Sequence, residues 1–300
     1  MKTLHTLFLA SLYCLATAFC LQARAQQASS FRLPDVPAVL ATPEERAAYL
    51  SCHYWDHFDF SDVSLIDRPE VTEQAFVDFI GILPYTDRAD TALETLLHRA
   101  SVGKKMLRHF ILLGDKYLYE PNSPMHNEEL YILMLRALLA NPALDETEKI
   151  RPRHRLETAL KNRPGHTAAD FGFVCRDGRR MQLNAVCAPY LILYFNDPDC
   201  DDCRRAKERL VTSQSLNRLM DSGSLALLSV CVGGKTAAWQ QAAFPARWID
   251  GYDEGRQLTR RQVYDLKAMP TLYLLDSRKR VILKDISIDK IEECLRHSVR

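Results

Sequence analysis

Beyond residue 21 the 300-residue chain has no second long apolar segment, so no membrane span is expected in the mature protein. It has no surplus of positive charge. In all, 39 lysines and arginines stand against 38 acids, and removal of Lys2 and Arg24 with a leader would leave 37 against 38. Nothing in that balance builds a basic nucleic-acid surface. The chain has one C-x-x-C, with no second one and no H-x-H pair to complete a four-ligand zinc site. It has no calcium-loop spacing, no internal repeat and no low-complexity stretch. Between residues 41 and 162 it also lacks the alternation of half-buried strands.

What is present begins with a leader. Lys2 supplies a positive start, residues 7 to 21 are apolar and uncharged, and Ala23-Arg24-Ala25 gives a small-x-small site before Gln26. This is the layout of a secretory signal peptide over residues 1–25, and its apolar core is short for a membrane span. Acylation at Cys20 or Cys14 is disfavoured by the bulky Phe19 and Tyr13 before them, and an uncleaved anchor is the lesser alternative. Cleavage leaves 275 residues, enough for two modest domains. Seven cysteines remain: Cys52, Cys175, Cys187, Cys200, Cys203, Cys231 and Cys294. Export places them where disulfides persist, and an odd count leaves at least one without an intramolecular partner.

Residues 26–40 read as a flexible lead-in, and residues 41–163 as an all-α helical domain. Thr42-Pro43-Glu44-Glu45 is a capping box with proline at the first helical position. Residues 70 to 83 place Val71, Ala75, Phe76, Phe79, Ile80 and Leu83 on one stripe. Leu93, Leu96, Leu97 and Ala100 form another, continued after Gly103 by Met106, Leu107, Phe110, Ile111 and Leu118. Ser123-Pro124 is expected to start a helix carrying Leu130, Leu133, Met134, Ala137 and Leu138, and Asp145-x-x-Glu148 to cap a last one, shortened or kinked at Pro152. The cluster from Tyr54 to Phe60 is expected to be helix-end packing rather than a ligand-binding corner. His53, His57 and His126 have no metal-ligand spacing.

The character changes at Asn162-Arg163-Pro164-Gly165, and residues 165–300 read as an α/β domain with a mixed sheet. Phe171, Phe173 and Cys175 alternate, Asp177-Gly178 is a tight turn, and Met181 and Leu183 resume the alternation. Tyr190 to Phe195 and Leu225 to Val232 are continuous apolar runs, as in strands buried on both faces. Cys203 to Leu219 is expected to be one helix. An irregular stretch with Trp239, Phe244 and Trp248 follows the second run, then a short helix over 259–266. A hairpin of Thr271 to Leu275 and Arg280 to Leu283 precedes the last helix. The expected order is β-β-β-α-β-α-β-β-α. Cys175, Cys231, Cys52 and Cys294 read as packing residues, with a Cys175–Cys187 pairing across the first hairpin left open.

Cys200-Asp201-Asp202-Cys203 falls where an apolar strand meets a helix. Two cysteines in a first turn lie close enough for a disulfide, and the helix N-terminus favours a thiolate. Asp201 and Asp202, with Asp197 and Asp199, oppose a thiolate, whereas Arg204 and Arg205 support it.

Ala169-Asp170-Phe171, Asp177-Gly178, Tyr190 to Phe195 before Cys200-x-x-Cys203, and Met269-Pro270-Thr271 before Leu272 to Asp276 together resemble the thioredoxin fold in its extracytoplasmic TlpA-like branch. The resemblance implies Cys200 as nucleophile and Cys203 as resolving thiol. It also implies a cis Pro270 opposite them, with Met269, Pro270 and Thr271 presenting an edge to an extended substrate. The acid that many thioredoxins carry six residues before the first cysteine is replaced by Tyr194. The charged pair between the cysteines also departs from the family, and makes Asp199, Asp201, Asp202 and Arg204 the residues expected to tune the thiol. Residues 54 to 162 resemble an uncharacterised helical family of secreted Gram-negative bacterial proteins. The matching stretches are Tyr54 to Asp62 and Lys116 to Pro124.

The resulting expectation is an exported thiol–disulfide oxidoreductase of the periplasm or cell envelope, a reductase or isomerase rather than a strong oxidant. Its partners would be protein disulfides or dithiols and a membrane-borne redox protein, with no nucleic acid, cofactor or metal. The alternative is a redox-inactive thioredoxin-fold binding module whose helical domain holds a protein partner.

Overall fold

The computed structural model describes residues 31–298. The expected signal peptide, its cleavage site, Cys14 and Cys20 lie outside the described residues. The chain divides into two compact units, the first ending at Pro152 and the second starting at Arg153.

The first unit is helical, with no strand among its described residues. It contains α1 (Pro43–His53), α2 (Thr72–Ile82), α3 (Ala89–Ala100), α4 (Lys104–Gly114) and α5 (Glu128–Ala140). Thr42 and Glu45 make the reciprocal capping box of α1. The stripes on α2 and α3 are buried, as are Met106, Leu107, Phe110 and Leu118, and α4 runs into a π-helical turn at Asp115–Tyr119. Ser123-Pro124 does not start α5. The Ser123 hydroxyl donates to the Tyr117 carbonyl (2.7 Å), and Asn127 caps the helix by accepting from the Leu130 N–H (3.1 Å). Leu133 and Ala137 are only half-buried, whereas Tyr131, Ile132 and Leu135 are fully buried, so α5 buries a wider face than one stripe. Trp55 packs edge-on against Phe58, Phe79 and Phe110 at 5.2–5.4 Å, which makes the Tyr54 to Phe60 cluster a packing core. The Asp145 and Glu148 carboxylates each accept from the other residue's backbone N–H ahead of α6 (Ile150–Ala159), and Pro152 sits in its first turn.

The second unit is built on a seven-stranded sheet. Its strands are β1 (Gly172–Cys175), β2 (Arg180–Gln182), β3 (Tyr190–Asn196), β4 (Leu225–Cys231), β5 (Ile249–Tyr252), β6 (Thr271–Asp276) and β7 (Val281–Lys284), in spatial order β2-β1-β5-β4-β3-β6-β7. The β3–β4 and β4–β5 pairs are parallel and the others antiparallel. The apolar run of β3 follows from its central place. Leu191, Leu193 and Phe195 enter one core with Phe171, Phe173, Val230 and Tyr273. Ile192 and Tyr194 enter the other with Leu210, Leu216, Leu227, Trp248 and Ile291.

Three expectations change here. The helix after the C-x-x-C is two helices, α7 (Asp201–Thr212) and α8 (Gln214–Asp221), because the buried Ser213 takes extended backbone and caps the second through the Leu216 N–H. The stretch expected to be irregular holds α9 (Ala237–Gln241) and β5, which inserts between β1 and β4. The helix expected over 259–266 is α10 (Gln257–Arg260), whose Gln257 and Leu258 N–H groups donate to the Asp253 carboxylate. The chain after it turns to bury Tyr264 and Asp265. The β6–β7 hairpin and α11 (Ile288–Ser298) follow as expected.

Gly251 shows how tightly β5 is inserted. A Cβ there would meet the Phe173 ring and the Val174 carbonyl oxygen, both at 2.8 Å, and the carbonyl is backbone that cannot rotate aside. Gly251→Ala is expected to destabilise the protein by about 1–3 kcal/mol. Urea unfolding checks this, and an unchanged midpoint would contradict it.

Candidate functional site

The site grows from the end of β3. The strand stops at Asn196, a three-residue turn follows, and Cys200 becomes the N-cap of α7 with extended backbone (φ −85°, ψ 127°). A helix start leaves its first N–H groups without intrahelical partners. Here the Cys203 N–H donates to the Cys200 sulfur at 3.4 Å. A sulfur thus holds the place that an oxygen usually takes at a cap. Cys200 is half-buried and Cys203 is 1% exposed. The Asp197 N–H donates to the Cys203 Sγ at 3.4 Å. Burial pushes the Cys203 thiol up to about 12, with the Asp197 N–H opposing that shift and Cys200 adding to it. All seven described cysteines are thiols in this structure.

The second strand run closes the site. The Phe195–Thr271 register sets the start of β6 beside the end of β3. The Met269–Pro270 peptide is cis. The Cys200 thiol donates to the Met269 carbonyl at 3.7 Å, and Thr271, fully buried, donates through its hydroxyl to the Ala268 carbonyl at 2.6 Å. Cys200, Cys203, Met269, Pro270 and Thr271 therefore meet at one end of the sheet.

The charged residues lie differently. Asp201 and Asp202 are exposed and pair with Arg204 and Arg205, one turn on in each case. The Arg204 guanidinium also donates to the Pro198 carbonyl at 3.3 Å, and the Asp199 N–H donates to the Asp197 carboxylate at 3.1 Å. The two acids between the cysteines face the two arginines rather than the sulfurs. Among the described residues no cluster of three histidine, cysteine or acidic side chains is placed to hold a metal ion.

Sequence reasoning missed two features. Tyr194 is buried and its hydroxyl donates to the Cys203 carbonyl at 2.6 Å, while the Asn196 amide donates to the Tyr194 carbonyl and the Ser229 hydroxyl. Spacing marked the position of Tyr194 but said nothing of its contact. Near the Met269 loop, Lys267 lies between Asp265 (3.5 Å) and Asp285 (3.3 Å), all three largely buried. Asp265-x-Lys267 just before Met269-Pro270 was the available signal for that group.

The two thiols should differ in reactivity. On the reduced protein at pH 8, iodoacetamide should label Cys200 and spare Cys203, as read by peptide mass mapping. Equal labelling would contradict the burial. The raised Cys203 value also has a sign. Below the ordinary value of 9.0 it leaves stability whole, and as pH climbs from there toward 12 only the unfolded thiol ionises, so stability falls.

Residues 19–162 match a family described as a domain of unknown function, DUF5106. A crystal structure of a thioredoxin-like protein from Bacteroides caccae is 42% identical, with a TM-score of 0.85, over 89% of this chain and 98% of that one. The C-terminal domain of an uncharacterised Bacteroides fragilis protein is 34% identical over 46% of this chain and 99% of its own, with a TM-score of 0.45. The thioredoxin domain of a thiol-disulfide oxidoreductase from Bacteroides vulgatus is 16% identical over 46% of this chain and 99% of its own, with a TM-score of 0.39. No curated protein matches the chain. With that identity to the Bacteroides caccae protein over nearly the whole of both chains, this chain belongs to the thioredoxin-like family and carries a DUF5106 domain in its first half.

Proposed function

We propose that this chain is an extracytoplasmic thiol–disulfide oxidoreductase that works through Cys200 and Cys203. The observation that carries the reading is the inequality of the two sulfurs. Cys200 is the accessible cap of α7, and Cys203 lies one turn inward with its proton held by burial. Such a pair suits two successive exchanges. The Cys200 thiolate attacks a substrate disulfide, one substrate sulfur bonds to it, and the other leaves with the electron pair and takes a proton. Cys203 then loses its proton and attacks the Cys200 sulfur. The new Cys200–Cys203 bond releases the second substrate sulfur as a thiol. Two electrons pass from protein to substrate, and a membrane-borne dithiol partner would return them. Met269, Pro270 and Thr271 would align the extended substrate beside Cys200, since the Met269 carbonyl already faces that sulfur.

Export rests on the apolar leader and on the cleavage site after Ala25. No helix among the described residues is long and apolar enough to cross a membrane.

The direction of transfer follows from charge. A strongly oxidising pair needs a heavily stabilised thiolate. Here Asp201 and Asp202 engage Arg204 and Arg205, the cations nearest the cap in sequence. A reductase or isomerase role fits this better than a strong oxidant.

Titration of the full mature chain in a glutathione buffer should give a reversible two-electron couple that Cys200→Ser abolishes. The midpoint should lie below about −180 mV, in the range of isomerases and thioredoxins. A midpoint near about −120 mV would contradict the direction, and a pair that never cycles would leave a binding module.

A further inference from the structure

We propose that Tyr194 is a positioning residue for the second exchange, its phenol holding Cys203 in line with the mixed disulfide on Cys200. The inference rests on the redox reading above. Tyr194 lies on the interior strand β3, paired with Ser229 of β4 on one side and Leu272 of β6 on the other. Its side chain points to the face that carries α7 and is 1% exposed. The ring meets Trp248 edge-on at 6.3 Å. A phenylalanine would fill that apolar space equally well. The hydroxyl is therefore the part that packing does not require, and it spans from the sheet to the first turn of α7.

Besides the backbone ladder of α7, three ties reach Cys203, and they respond differently to the chemistry. Its N–H donates to the Cys200 sulfur, and its own sulfur accepts from the Asp197 N–H. Both ties involve a sulfur that changes bonding or charge during exchange. Once Cys200 carries substrate, its sulfur is a disulfide sulfur and a poorer acceptor than a thiolate. The phenol instead grips the Cys203 carbonyl, which no redox step alters. Burial holds the phenol above its usual range, so it stays a donor throughout. The base of the strut is also braced, because the Asn196 amide holds the Tyr194 carbonyl at 3.1 Å and Ser229 at 3.0 Å.

The Cys203 thiol gives its proton to solvent, its sulfur bonds to the Cys200 sulfur, and the bond from Cys200 to substrate breaks with the pair on the leaving sulfur. The reaction needs three sulfurs nearly in line, and a small loss of alignment slows such a step steeply. The first exchange, which uses only the accessible Cys200, does not depend on the strut.

The test uses the reduced full mature chain mixed with oxidised glutathione, acid-quenched over time and weighed by mass spectrometry. In Tyr194→Phe the mixed disulfide on Cys200 should accumulate and resolve about tenfold more slowly than in the wild type. The rate of first attack should stay within about twofold, since the accessible sulfur is untouched. Trp248→Phe, which disturbs the ring packing but not the hydrogen bond, should leave the ratio of the two rates unchanged. If Tyr194→Phe fails to fold, 3-fluorotyrosine at 194, a more acidic donor in the same shape, serves instead and should change only the resolving rate. Resolution at the wild-type rate in these variants, or both steps slowed alike, overturns the proposal while the wild type still cycles. A wild type that forms no mixed disulfide overturns the redox reading and this proposal together.

Discussion

A helix inserted after a buried strand must start with unpaired N–H groups, and α7 meets that requirement with sulfur. Cys200 caps the helix through the Cys203 N–H, and this single contact orders the rest of the site. It fixes the first, half-buried cysteine in extended backbone and turns the second inward one helical turn later. The cap can form only because β3 delivers the chain at the right height, between β4 and β6 inside the sheet. The same pairing brings Thr271, and the Met269 carbonyl before it, to the sulfur. Strand order, cap and facing loop are thus one constraint seen from three sides.

The acids between the cysteines matter through the arginines they occupy. Asp201–Arg204 and Asp202–Arg205 are exposed pairs, each of small energetic weight in water. Their effect is to engage the two arginines next to the cap. Cys203 is governed by burial, which raises its thiol and keeps its proton in place.

The parts legible in the sequence were those whose signal is local or continuous. The capping box at Thr42, the turn at Asp177-Gly178 and the buried runs of β3 and β4 are each written in adjacent residues. The C-x-x-C and Pro270 were legible for the same reason, since each adjoins a continuous apolar strand run, β3 or β6. What was hidden depended on distant contacts. Ile249–Tyr252 is four residues with an aspartate and a glycine, and only its neighbours β1 and β4 make it a strand. Ser213 reads as an ordinary helix residue until its hydroxyl is seen capping α8. Tyr194 announced its position by spacing, but its bond to Cys203 needs the first turn of α7 laid over the strand.

On the proposed function, one sulfur attacks and the other releases. A Cys203→Ala variant, reduced and mixed with a disulfide-bonded peptide, separates the two roles. One peptide strand should join per protein, mapped to Cys200 and stable until a small thiol is added. An adduct mapped to another cysteine, or no adduct where Cys200 is reduced and free, would contradict it.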